Sequence, residues 1–498
     1  MTDINLKGSL GIPGVNGLRI ASLIALLGAA AFVSAGPGVG ASPPAMQCAP
    51  AAAYPAAATP VAFWSTEARC AIVQAGPGGI FGTENFGNKS PPEAAVYMGI
   101  VHVAIYHAAV AIKGDYQPYA PTPAAPARRR SAAIATAAYV TLTGLQLGVN
   151  QMILDNDYNA YLAAVPDGTA KTNGISVGKL VAQTVLALRA NDGRDCSTKL
   201  TDLNPPAAGP GIWQPDPKVP VVGLCLPGMR PLALHRASQF RPGAPNALRS
   251  REYAADFNQV KDLGRLDSRS RTSEQTTQAL FWTDYDIRQW NDGMLRLAAA
   301  RGLGLVQTAR MLATAHVAGG DAMIACFDAK YHYWFWRPYQ AIPQADTDNN
   351  PATVADPTWL PLRTTPNHPE YPSAHACHST AVVTALDAFF GTDEIPFTLD
   401  SRVTKTTRDY ARLGDVVKDV DPARVLVGFH FLSSTLEGSR LGRKVALAVI
   451  GMDDDGQPVF ADAPCDQNDQ GNKDDQGNKD DQGNKDDQGN QNNQGNKN

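Results

Sequence analysis

Two cations seven positions apart, Lys330 and Arg337, stand in the aromatic stretch Lys330-Tyr-His-Tyr-Trp-Phe-Trp-Arg337-Pro338. At about 100° per residue that spacing turns through roughly 700°, which places both on one helix face two turns apart, with Pro338 ending regular helix. Cations set among aromatic rings are costly to desolvate unless an anion lies beside them. A second segment, Glu370-Tyr-Pro-Ser373-Ala374-His375-Ala-Cys-His378, leads into the apolar run Ser379 to Phe390, which Gly391 terminates. As the N-cap of that helix, Ser373 would offer its hydroxyl and the free N–H groups of Ala374 and His375 to an anion at the positive end of the helix dipole. His375 then stands at the mouth, where an imidazole titrating near neutrality can exchange protons with a bound oxyanion. The third segment is Arg424-Val-Leu-Val-Gly428-Phe-His430-Phe431, with Gly438 and Gly442 following. On an unbroken helix a separation of six would splay Arg424 and His430 by about 120°, so a distortion near Gly428 is expected to turn both into one pocket. Each segment alone also fits plain packing, as a snorkelling pair, a capped helix, or a satisfied core arginine and histidine.

Helices must carry these groups. Apolar residues recur at helical spacing over Pro91–Ile112, Ser131–Leu147, Gly174–Ala190, Thr272–Ala300 and Leu303–Ala325. The stretches Leu203–Val222 and Gln344–Pro369 are dense in Pro, Asp and Asn and read as ordered loops. Strand patterns are scarce, with Val219–Leu224 the weak candidate, so the fold class is all-α, built as helical bundles with long Pro/Asp-rich loops. Folding is expected from Phe63, with an N-terminal helical region at 63–304 and a C-terminal bundle at 305–462 that holds the three segments. With 44% hydrophobic and 18% charged residues among 498 and a net charge of -4, the chain is globular, and nothing in it suggests a nucleic-acid partner.

Lys7 and Arg19 precede the apolar run Ile20–Val33 and the small-residue pattern Val33-Ser34-Ala35, so residues 1–35 read as a signal peptide and the protein as secreted, periplasmic or extracellular. The run is short of the roughly 20 residues a helix needs to span a bilayer, and no stable membrane span is expected. Residues 36–62 read as an Ala/Pro/Gly-rich linker. Residues 463–498 read as a disordered tail, because beyond Pro464 the chain turns to a repeat of Asp-Asp-Gln-Gly-Asn-Lys that contains no apolar residue; the closing Glu of a calcium loop is missing. Of seven cysteines, Cys196 and Cys225 flank a Pro/Gly-rich stretch and are the pair expected to close a loop, while Cys326 and Cys377 sit in helical patterns as buried thiols. The pairing of Cys48, Cys70 and Cys465 is open, and the lack of a CxxC pair argues against a zinc ribbon.

In order along the chain, Lys-x6-Arg-Pro, Pro-Ser-x-His and Arg-x5-His resemble the three-part motif of the vanadium haloperoxidase and type 2 phosphatidic acid phosphatase superfamily, across roughly residues 305 to 450. Asp321-Ala322, Trp336 and His368-Pro369-Glu370-Tyr371 resemble its bacterial haloperoxidase-like branch. The resemblance implies that Lys330, Arg337 and Arg424 bind the equatorial oxygens of vanadate or phosphate, helped by Ser373 and the Ala374 amide. His430 would be the axial partner and the metal ligand, His375 the acid–base residue, and Lys330 a third catalytic group. Two positions depart from the family pattern: Ala374 stands where Gly is usual, keeping the N–H, and Ala423 where Ser is usual, removing a hydroxyl. The carboxylate that orients the acid–base histidine is not identifiable from the motif; Asp256, Asp262 and Glu274 are candidates. His378, one turn after His375, is expected to tune it or to pack behind it, and His102, His107 and His316 to be core hydrogen-bond partners.

Vanadate and phosphate are both tetrahedral oxyanions that gain a fifth ligand, so one cage suits either. The leading expectation is a vanadium-dependent haloperoxidase that uses hydrogen peroxide, a halide and a small organic acceptor. The alternatives are a metal-free acid phosphatase that cleaves a phosphate ester through a phosphohistidine at His430 and a non-catalytic oxyanion-binding module. The bulk of about 260 residues between Phe63 and the first motif favours the haloperoxidase.

Overall fold

The computed structural model describes residues 48, 59–76, 84–113, 116–120, 130–149, 151–451 and 460. The expected signal peptide, the repeat tail, Cys465 and nearly all of the linker lie outside the described residues. Helix α1 (Pro60–Ile72) begins three positions before Phe63, because the Thr59 hydroxyl accepts the Ala62 N–H at 3.2 Å and Pro60 is preset for a first helical turn. α2 (Pro91–Lys113) is apolar on every side, long enough to cross a bilayer, yet 89% of its most apolar window is buried. It is a core helix, packed between α3 (Arg130–Gly144) and α9 (Leu305–Tyr333). α4 (Gln151–Ala163) and α5 (Thr169–Leu188) cover the outer side of α3, and α6 (Arg251–Leu263) closes the other end of the molecule.

The periodic stretch Thr272–Ala300 is two helices rather than one, α7 (Ser273–Phe281) and α8 (Asp286–Ala300). Asp284 breaks it. Its carboxylate accepts the Tyr285 N–H at 2.6 Å and the Arg402 N–H at 2.6 Å, side-chain bonds that compete with helical continuation. The fold is mostly helical as expected, with thirteen α-helices among the described residues, and its small sheet lies away from the expected place. Val219–Leu224 is loop; the hairpin is β1 (Phe397–Ser401) and β2 (Thr406–Tyr410), antiparallel with Phe397 opposite Tyr410. β1 buries Phe397, Leu399 and Ser401, and Phe397 stacks on Trp290 of α8 at 5.4 Å. After α9 come α10 (Pro338–Ala341), α11 (Ala374–Phe390), α12 (Leu413–Leu426) and α13 (Leu432–Val449), with α11 packed against α9, α12 and α13. The expected Cys196–Cys225 disulfide is present, joined by Cys48–Cys70, and Cys326 and Cys377 are buried thiols.

One buried carboxyl gives the fold a pH signature. Glu67 of α1 is 1% exposed and lies against Asp157 of α4; burial, then the neighbouring carboxylate, pushes its pKa up to about 8. A carboxyl whose pKa is raised on folding stabilises while it stays protonated, and that contribution drains away as pH rises from the unfolded value of 4.5 to about 8. The native chain is therefore expected to lose stability over this interval by on the order of 1 kcal/mol per pH unit, a slope absent from Glu67→Gln. Parallel denaturant curves for the two proteins between pH 5 and 9 would disprove it.

Candidate active site

Lys330 lies in the last turn of α9, and the helix stops three residues later, so Lys330 and Arg337 do not share a helix face as their spacing suggested. Trp334 adopts the left-handed conformation (φ 53°) and donates its N–H to the Lys330 carbonyl at 2.9 Å. The chain then leaves the helix because a neighbouring loop takes its backbone: Trp213 N–H donates to Trp334 O at 2.6 Å and Trp336 N–H to Gly211 O at 3.0 Å. Arg337 ends this detour as the N-cap residue of α10, which begins with Pro338. Both side chains still converge, by a turn of the chain rather than by helical periodicity.

The Lys330 ammonium is wholly buried and donates to three carbonyls, those of Pro369 (3.0 Å), Glu370 (2.8 Å) and Pro372. It thereby clamps the segment that leads to Ser373, and it acts on the pocket as a charge. Burial lowers its pKa to about 8. Arg337 is equally buried. Its Nε donates to His368 O (3.0 Å), one terminal nitrogen to Phe429 O (2.9 Å) and to His430 Nε2 (3.0 Å), and the other to the His368 ring.

Ser373 is the N-cap of α11, as its sequence position suggested, but its hydroxyl caps no backbone N–H and has no partner. The first-turn N–H groups of α11 have no intrahelical acceptor, which leaves Ala374 and His375 amides beside that hydroxyl. Close approach of α13 holds this end in place. A Cβ on Gly438 would meet Ser373 O at 2.7 Å, and one on Gly442 would meet Cys377 O at 2.1 Å. His375 Nε2 and Arg424 Nε are also buried without a partner. Lys330, Arg337, Ser373, Ala374, Arg424 and His430 are all buried, and His375 alone among the expected site residues is partly exposed, though its Nε2 is buried.

Arg424 and His430 are brought together as Gly428 was expected to allow. α12 ends at Leu426, Gly428 takes φ 83°, and a Cβ there would meet Gly264 O at 2.5 Å. Arg424 donates to Trp282 O and lies 5.1 Å from the Phe429 ring centroid. His430 Nδ1 lies 2.8 Å from Glu370 Oε1, which also accepts the Phe431 N–H at 3.0 Å, while Glu370 Oε2 accepts the Ser434 hydroxyl at 2.7 Å. Burial pushes the Glu370 carboxyl up to about 7 against the opposing pull of Ser434, Arg337 and Lys330.

The carboxylate beside His375 is Asp286, at the start of α8, and none of the three candidates from sequence. Asp256 bonds Asn246, Asp262 accepts Ser270, and exposed Glu274 pairs with Arg408, so each is engaged with a partner other than the imidazole. Burial alone would raise Asp286, but the charges of His375, His378 and Arg424 outweigh it and pull its pKa down to about 2. His378 Nδ1 lies 3.2 Å from Asp286. His375 is pushed below the ordinary imidazole value by burial and by Arg424, with Asp286 opposing. His102 and His316 are stacked in the core at 4.3 Å, bonded to Ser65 and Asn291.

Residues 310–454 match the family described as the VCPO second helical-bundle domain. The fold is similar to that of the first bacterial vanadium-dependent iodoperoxidase, with a TM-score of 0.62 at 21% identity, over 78% of this chain and 94% of that one. Residues 310–454 thus match that family's domain, and the chain has the fold of the bacterial vanadium haloperoxidases. Holo-type and apo-type bacterial vanadium-dependent chloroperoxidases share this fold, at TM-scores of 0.57 and 0.56 and 15% identity, over 73% and 70% of this chain and 92% and 90% of theirs. No curated protein sequence matches the chain significantly. The polar set suits a tetrahedral oxyanion: buried polar atoms without a partner at Ser373, His375 and Arg424, among the cations Lys330, Arg337 and Arg424.

Proposed function

We propose that this chain is a vanadium-dependent haloperoxidase that oxidises halide with hydrogen peroxide to a hypohalous species, which passes to a small organic acceptor. The observation that carries the reading is the meeting of His430 Nε2 with Arg337, beside the unpartnered polar atoms of Ser373, His375 and Arg424. A cage of that kind would suit vanadate, which His430 Nε2 would hold and which, when bound, would supply Lewis-acid chemistry toward peroxide. The residues' own work is separable: Arg337, Arg424 and Lys330 neutralise charge, Ser373 and the Ala374 amide orient oxygens, and His375 moves the proton. The likeness to iodo- and chloroperoxidases over most of both chains supports this choice over a phosphatase. An extracytoplasmic location is part of the proposal, supported by the leader-like first 35 residues and by the two disulfides.

The test uses one purified preparation of the chain, stripped of metal and assayed for bromide and iodide oxidation by peroxide with and without orthovanadate, alongside aryl phosphate hydrolysis. Orthovanadate is expected to switch on halide oxidation. If it only inhibits a metal-free phosphate hydrolysis, His430 is a phosphate-accepting nucleophile and the haloperoxidase assignment fails.

A further inference from the structure

The two nitrogens of His430 face partners of opposite kind. Nε2 lies 3.0 Å from an Arg337 terminal nitrogen, and a guanidinium only donates, so Nε2 carries the lone pair. Nδ1 lies 2.8 Å from Glu370 Oε1. That carboxylate also receives the Phe431 N–H and the Ser434 hydroxyl, three donors in all, the arrangement an acceptor-only group satisfies. Both contacts demand the same tautomer, with the proton on Nδ1. Glu370 is fixed in turn from behind, since Lys330 holds its carbonyl and those of Pro369 and Pro372, and Ser373 N–H donates to Ser434 O at 3.0 Å. One strap, Pro369 to Ser373, thus joins the anion-facing hydroxyl to the histidine 60 positions further on.

We propose that Glu370 is a positioning residue that holds His430 as the Nδ1-protonated tautomer and turns its Nε2 lone pair into the cage. Hydrogen bonding to a carboxylate raises the donor strength of the distal imidazole nitrogen, as it does for histidine ligands of metals. The effect is selective. An oxyanion that takes Nε2 as a fifth ligand gains from it, whereas one held only by the cations and amides does not. Its consequence for vanadate rests on the haloperoxidase reading; the tautomer does not.

The experiment compares the full native chain with Glu370→Gln, whose amide keeps size and an acceptor oxygen but loses the charge. Equilibrium binding is measured for orthovanadate and, separately, for inorganic phosphate. Orthovanadate affinity is expected to fall by roughly 10–100-fold, with phosphate affinity far less changed. If both fall together, Glu370 merely supports the fold, and if neither falls it has no role at the site. Nitrogen-15 spectra of histidine-labelled native protein, with the His430 signal assigned by its loss in His430→Gln, give a second reading that needs no variant of Glu370. A proton on Nε2 overturns the proposal whatever the activity. A native chain that shows the Nδ1 proton and binds orthovanadate without oxidising halide overturns the functional reading and leaves this one standing.

Discussion

Replacing His375 with alanine is expected to cut peroxide-dependent halide oxidation by roughly 10²–10⁴-fold, with orthovanadate binding close to that of the native chain. The proposed binding groups are elsewhere: Lys330, Arg337 and Arg424 would supply the charge, Ser373 and the Ala374 amide the hydrogen bonds, and His430 the ligating nitrogen. What leaves with the imidazole is the proposed base, whose Nε2 has no partner in the protein. His378 cannot take its place. Its ring is 1% exposed, engages Asp286 at 3.2 Å, and is pressed so closely against Gly319 that a Cβ there would lie 2.7 Å from it. Single-turnover and steady-state rates, set beside a binding isotherm, test the split. Turnover within a few-fold of native, or an equal collapse of binding, would show that His375 is not the group that moves the proton.

The sequence displayed the charged groups of this site more clearly than it displayed how they meet. Ser373 before a long apolar run, and Gly428 between Arg424 and His430, are local signals, and the chain obeys both because capping and positive φ are decided within a few residues. Arg337 is different. Periodicity placed it on the helix of Lys330, but the bond from Trp336 to Gly211 is set 125 positions away and no local pattern announces it. Asp286 and Glu370 were missed as members of the site for the same reason. Asp286 resembles any acidic residue in a helical first turn, and the break at Asp284 that starts its helix was hidden inside one long periodic stretch. Glu370 stood within a quoted motif, yet its role depends on a contact to His430 across the fold. The hairpin at Phe397–Tyr410 went unrecognised because β2 buries only Tyr410 and so lacks an alternating apolar pattern, whereas the all-α class was legible from five strongly periodic stretches.

Arg288→Ala is expected to destabilise the fold by roughly 3–5 kcal/mol, the cost of leaving buried carboxylates without their counter-ion. Arg288 is 1% exposed and reaches three of them, Asp284 at 2.8 Å, Asp292 at 3.2 Å and Asp400 at 2.8 Å, with a further bond to Asp400 O at 2.9 Å. Arg69 of α1 shares Asp292 at 3.1 Å, and Arg296 shares Asp400 at 2.8 Å, so the network ties α1, α8 and β1 together. Neither neighbour can replace Arg288 at Asp284, which also accepts the backbone N–H groups of Tyr285 and Arg402 at the break between α7 and α8. That break is where Asp286 begins the helix that presents it to His375, so loss of stability should come with loss of turnover even well below the melting temperature. For a chain of ordinary stability, about 5–15 kcal/mol, such a loss is a large fraction of the whole. Thermal and denaturant melts of the variant decide it: a midpoint within about 1 °C of native would mean that the carboxylates relax onto Arg69, Arg296 or water, and that the network is ornamental to the fold that carries the site.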